Sequence, residues 1–176
     1  MSSDRLTPTS YAVLVLVGQG GAGPHDLVRM MRQGRVYESA AESQYYAEPK
    51  RLERLGYLES QRLPGQTHER THYTLTAKGL DALREWIREK PEHPRLGADP
   101  IVRLLAADLV GERPVKDSLL SMREDLDDLR ARLDVADEVA KTLPQREKYL
   151  RLNHRLARRV VDAYDEWLSD VERELG

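Results

Sequence analysis

Residues 43–56, SQYYAEPKRLERLG, bring hydroxyls, an amide, phenols and the cations Lys50, Arg51 and Arg54 into one short stretch. On a helix, Tyr45, Pro49, Leu52 and Leu55 step by three and four and form an apolar stripe that needs a core. The other face then carries Ser43, Gln44, Tyr46, Ala47, Lys50, Arg51 and Arg54. Amides and guanidiniums pair with base edges in a DNA groove, while hydroxyls and cations reach phosphates, so this face has the chemistry of nucleic-acid recognition. Glu48 and Glu53 dilute its positive charge, and a plain solvated helix would present many of the same residues.

The elements around this helix sharpen the reading. Gly56 stands where the periodic pattern stops, as a helix-ending glycine does. Tyr57 to Leu63 and Arg70 to Leu75 alternate or carry β-branched and aromatic residues, which predicts two strands, with Pro64, Gly65, Gln66 and Thr67 turning the chain between them. The hairpin tip holds Gln66, Thr67, His68 and Arg70, suited to a phosphate backbone or to solvent alone. Upstream, Thr7-Pro8 opens a helix through Val17 that is apolar nearly all round and is expected to be fully buried. The following GQGGAG lacks the GK[ST] of a phosphate loop. Pro24 to Met31 forms a second helix. The resulting order, three helices and a two-stranded wing, is that of a winged helix-turn-helix.

At these residues the chain resembles the PadR family of bacterial transcriptional regulators, in its subgroup with a helical C-terminal region. The resemblance rests on the apolar first helix, the Gly-rich connection, Tyr46 followed by Lys50 to Leu58, and Tyr73 to Gly79 closing the wing. It implies a homodimeric repressor whose third helix enters the major groove of a double-stranded operator, with Ser43, Gln44, Tyr46 and Lys50 as groove or phosphate contacts. Family members often carry proline where Ala47 stands and an aliphatic residue where Pro49 stands. An interior proline removes a backbone donor and crowds the preceding turn, so this helix is expected to start late or kink near Tyr45 and Tyr46.

The fold class expected is mainly α with a small β-hairpin wing: a DNA-binding domain over 1–90, a linker over 91–99 and an α-helical dimerisation domain over 100–176. Thr76 to Glu89 reads as a helix with Leu80, Leu83, Trp86 and Ile87 on one side, and Asp99-Pro100 starts a short one. From Pro114 to about Leu143, Leu119, Met122, Leu126, Leu129, Leu133, Ala136, Ala140 and Leu143 repeat as a heptad seam. After Pro144, a last helix from Gln145 to Leu175 carries Leu152, Leu156, Val160, Tyr164, Trp167 and Leu168. Such a hairpin has more apolar surface than it covers alone. A second copy is the expected cover, with Leu119, Met122, Leu126, Leu129, Leu133, Leu156, Val160 and Trp167 at the dimer contact.

Charge divides along the same line. Residues 1–90 hold 13 Lys or Arg against 11 Asp or Glu, and residues 91–176 hold 15 against 19, so the chain's net charge of -2 comes from its second half. The chain has no cysteine, which removes disulfides, thiol catalysis and Cys-ligated metals. The five histidines show no metal-binding spacing, and are expected singly on the surface or wing; neither metal nor cofactor is expected. No GxSxG elbow or paired carboxylate frame points to an enzyme. Neither a secretion signal nor an apolar run of about 18 residues is present, so no membrane partner is expected and the location expected is cytoplasmic. Trp86, Tyr149 and Tyr164, with Trp167, are candidates for a pocket between the two halves that takes a small aromatic effector, as the family resemblance implies; aromatics at helical spacing also serve as ordinary core. The competing function is a non-catalytic winged-helix adaptor that binds a protein partner.

Overall fold

The computed structural model describes residues 5–18, 20–33, 42–64, 70–91 and 98–175, in two units, Met1–Glu92 and His93–Gly176. In the first unit α1 spans Pro8–Val17 and α2 Pro24–Gln33. They are followed by α3 (Glu42–Arg54), β1 (Leu58–Leu63), β2 (Arg70–Leu75) and α4 (Ala77–Arg88). The N-terminus of α1 is closed by a capping box: Ser10 N donates to Thr7 Oγ1 at 3.2 Å and Thr7 N to Ser10 Oγ at 2.8 Å. Its Val13, Leu14 and Val17 join Leu27, Val28, Tyr45, Leu52, Leu58 and Tyr73 in the core. Full burial of α1 is not observed, because its Val15 side is exposed and only the opposite faces meet α2, α3 and α4.

The late start expected for α3 is also not observed, since the helix begins at Glu42 and runs through Pro49. The Pro49 ring is fully buried beside Tyr45 and Leu52. That burial offsets the missing backbone donor.

The wing pairs Leu58 with Leu75 through to Leu63 with Arg70 in antiparallel register. Ala22 adds a bridge to it, exchanging two 3.0 Å backbone hydrogen bonds with Tyr73. This accounts for the Gly-rich connection. Gly21 has φ +74, and a Cβ there would sit 2.2 Å from His72 Nε2. A larger residue would therefore hold the strand away.

In the second unit α5 (Ala98–Leu105) and α6 (Ala107–Val110) precede α7 (Glu112–Leu120), α8 (Met122–Lys141) and α9 (Glu147–Glu174). The heptad segment is therefore two helices rather than one. They part at Ser121, whose hydroxyl donates to Ser118 O at 2.7 Å and competes with the helical ladder. Leu119, Leu126 and Leu133 of the seam are buried inside the unit, the first two in a core shared with Val161, Leu168 and Val171 of α9. Met122, Leu129 and Trp167 are half-buried against that core. Polar clamps line the same α8–α9 contact: Arg130 reaches Asp165 at 2.9 Å, and Arg158 reaches Asp137 at 2.9 Å. His154 is buried rather than on the surface, its Nδ1 2.7 Å from Asp137 Oδ1. The Arg158 hydrogen bond, ahead of burial acting the other way, holds the Asp137 carboxyl below its ordinary value. Among the described residues no helix is long and apolar enough to cross a membrane.

Candidate nucleic-acid interface

The α3 face is shaped by the engagement of two of its acids, Glu48 and Glu53. Glu48 is drawn inward, where Ser10 Oγ donates to it at 2.6 Å and Arg51 at 2.8 Å. Glu53 accepts from Ser60 Oγ of β1 at 2.5 Å. Ser43, Gln44, Tyr46, Ala47, Lys50 and Arg54 are left exposed, and neither Lys50 nor Arg54 has an acidic partner among the described residues. The helix that looked diluted by glutamates therefore presents cations, hydroxyls and an amide.

Arg51 departs from its expected place on this face. Its guanidinium pairs with Glu48 and donates to Ser10 Oγ at 3.0 Å and to Arg5 O at 3.3 Å, so it holds α3 to the start of α1. Its side chain is only 20 % exposed, which leaves it little reach toward a ligand. The helical spacing alone could not show this, because Ser10 and Arg5 lie far away in sequence.

Burial pushes the Glu48 carboxyl up, but hydrogen bonds from Arg51 and Ser10 outweigh it and hold the group below its ordinary value of 4.5. A lowered carboxylate contributes stability that is complete above its unfolded value and is lost as pH falls through the folded one. Glu48→Gln is expected to cost about 1–3 kcal/mol near neutrality, because Arg51 keeps its charge without the opposing one and one of its two carboxylate acceptors becomes an amide donor. Below pH 4.5 the variant should then lose stability less steeply than the parent. Urea unfolding from pH 7 to 3 in a Trp167→Phe background, where Trp86 fluorescence reports on the winged unit, checks this.

The C-terminal end of α3 is pinned by residues the sequence reading did not single out. Thr76 Oγ1 donates to Gly56 O at 2.7 Å, and Lys78 Nζ donates to Leu55 O at 2.7 Å while lying 4.5 Å over the Tyr57 ring. A cation on the last carbonyls of a helix complements its dipole. At the other end of the face, Tyr46 Oη lies 3.3 Å from His25 Nδ1 of α2. Arg70 stands exposed at the end of the wing where it pairs with Leu63. Gln66, Thr67 and His68, expected at the wing tip, lie outside the described residues.

No protein-family model and no curated protein sequence matches the chain. Solved structures do. Bacillus subtilis PadR in complex with operator DNA superposes with a TM-score of 0.74 at 21% identity, covering 96% of this chain and 97% of that one. The Vibrio cholerae virulence activator AphA gives 0.74 at 19% identity, covering 94% and 96%. Bacillus subtilis PadR in complex with p-coumaric acid gives 0.59 at 20% identity, covering 93% and 98%.

The chain has the fold of PadR.

The PadR fold therefore runs through both units, wing and C-terminal helices included. Two of the three expected effector residues, Tyr149 and Tyr164, do not share one pocket. Trp86 belongs to the winged unit, stacked on Tyr11 with ring centroids 4.6 Å apart and planes 7° apart. Tyr149 and Tyr164 both lie on α9, fifteen positions apart, which at 1.5 Å per residue separates them by about 22 Å. Tyr164 does line a cavity of about 360 Å³ with Trp167, Val160, Arg159, Pro100 and Ile101, all within the second unit. Tyr149 is exposed. The expected dimer residues separate as well. Leu119, Leu126 and Leu133 are buried in the chain's own core, whereas Leu156 and Val160 stay 58% and 46% exposed.

Proposed function

We propose that this protein is a sequence-specific DNA-binding transcriptional regulator, working in the cytoplasm as a homodimeric, ligand-responsive repressor. The observation that carries the reading is the exposed face of α3, where Glu48 and Glu53 are engaged elsewhere while Lys50 and Arg54 have no acidic partner among the described residues. The likeness to PadR solved in complex with operator DNA supports a DNA partner. Ser43, Gln44, Tyr46, Lys50 and Arg54 are the groove and phosphate contacts in this reading, with Arg70 and the wing tip at Gln66, Thr67 and His68 on the adjoining backbone. Arg51 supports the surface from behind.

A second copy is drawn to α9. Tyr149, Leu152, Leu156 and Val160 form an exposed stripe along it, left over after the inner face of α9 has met α7 and α8. Two-fold pairing through this stripe suits an operator with half-sites about 34–36 Å apart. The cavity beside Tyr164 and Trp167 adjoins the stripe at Val160, so an aromatic acid held there, its carboxylate on Arg159, would favour one dimer arrangement over another. PadR in complex with p-coumaric acid supports an effector of that class.

Selection of bound duplexes from a random pool tests the function. Enrichment of a two-fold motif is the expected result, and a pool that stays random with a folded dimer would sink it. On the enriched duplex, Lys50→Ala should weaken binding and reduce the slope of log affinity against log salt by about 1.8, since two copies each lose a phosphate contact worth about 0.9. Anisotropy across a salt series reads that slope; one left unchanged would remove Lys50 from the phosphates.

A further inference from the structure

We propose that His25 is a positioning residue of the DNA-binding surface, holding the Tyr46 hydroxyl of α3 in a direction set by α2 and the wing. The inference rests on the DNA-binding reading. An exposed phenol on a helix face ordinarily samples several rotamers, and ordering it on binding costs about 0.5–1.5 kcal/mol. The hydroxyl of Tyr46, a residue 40% exposed, meets His25 Nδ1 at 3.3 Å. The same two rings meet edge to face, with centroids 5.6 Å apart and planes at 80°. A hydrogen bond and an edge contact together fix both the ring and its hydroxyl.

His25 is itself fixed by its neighbours. Ala22, three residues earlier, exchanges two backbone hydrogen bonds of 3.0 Å with Tyr73 in β2. Gly23 N donates to Asp26 Oδ2 at 3.2 Å, which closes the first turn of α2. A continuous path thus runs from β2 through Ala22 and His25 to Tyr46. A histidine on an exposed helix turn has no packing role to explain it. What its ring does touch is the one phenol that the α3 face turns outward.

Double-mutant anisotropy on the intact protein, against the duplex enriched from the random pool, tests the assignment. His25→Ala and Tyr46→Phe should each weaken binding about 3–10-fold, the size of one net hydrogen bond, and the double variant should be no weaker than the worse single one. His25→Gln, whose amide can reach the same hydroxyl, should recover part of the loss. The salt slope should stay at the parent value in all of them, because no Lys or Arg that neutralises a phosphate is removed. Additive losses, a lowered salt slope in His25→Ala or no recovery with glutamine would overturn the assignment and leave the DNA-binding reading standing. If the parent protein, shown folded by circular dichroism, binds no duplex, both fall. Melting curves that match the parent keep folding apart from binding.

Discussion

The variant Leu156→Glu/Val160→Glu is expected to run as a monomer of 20.2 kDa, where the proposed dimer of the parent would run at twice that mass. Both side chains are exposed in the single chain, so the carboxylates cost it little while it is alone. In a two-fold contact they would meet their own copies in an apolar seam, and an ionised group placed there without a partner is strongly unfavourable. Operator affinity should fall by about 10²–10⁴, the gain that joining two half-site readers provides. Sedimentation velocity reads the mass and anisotropy the affinity. A variant that keeps the doubled mass would place the dimer contact elsewhere, on α5 and α6, whose Val102, Leu105 and Leu109 are also exposed.

Gly79→Ala is expected to destabilise the winged unit by about 3 kcal/mol, at the upper end of what overpacking costs. A Cβ at this buried position would lie 2.2 Å from Tyr57 O and 3.2 Å from Leu75 Cδ2. The obstacle is backbone, so no side chain can turn aside. Tyr57 O also accepts from Thr76 N at 3.2 Å, and relieving the clash would strain that bond together with the Thr76 cap of α4. Since α4 and the wing then part, the support of α3 from Lys78 and Thr76 should weaken with them. Thermal unfolding should show the winged unit melting about 12–24 °C lower, at about 4–8 °C per kcal/mol. Gly56→Ala, by contrast, meets only the flexible end of Lys78 and is strained through its φ of +78 alone. It should cost about 1–2 kcal/mol.

Much of the architecture was legible because its causes are local. The Thr7-Pro8 start, the three-and-four stripe of α3, the turn residues after Leu63 and the proline at 144 are signals that a few neighbouring residues carry. Where the reading missed, the cause lay in partners distant in sequence. The heptad seam looked like a surface for a second chain, and the inner face of α9 takes Leu119 and Leu126 of it instead. His154 looked like a surface residue until α8 brought Asp137 to it.

Sequence alone determined the element order of the winged unit, its winged helix-turn-helix class and the apolar surplus of the C-terminal helices, since periodicity and turn chemistry act within one or two turns of chain. Tertiary structure decided which polar groups of α3 remain available. Ser10, 38 residues from Glu48, draws that carboxylate inward with Arg51, while Ser60 takes Glu53. His25 meets Tyr46 across 21 residues, and Ala22 ties that contact to the wing. A hydrogen bond is set by the positions of two atoms and not by their separation along the chain, so the charge that α3 shows to a partner appears only once the helices have packed.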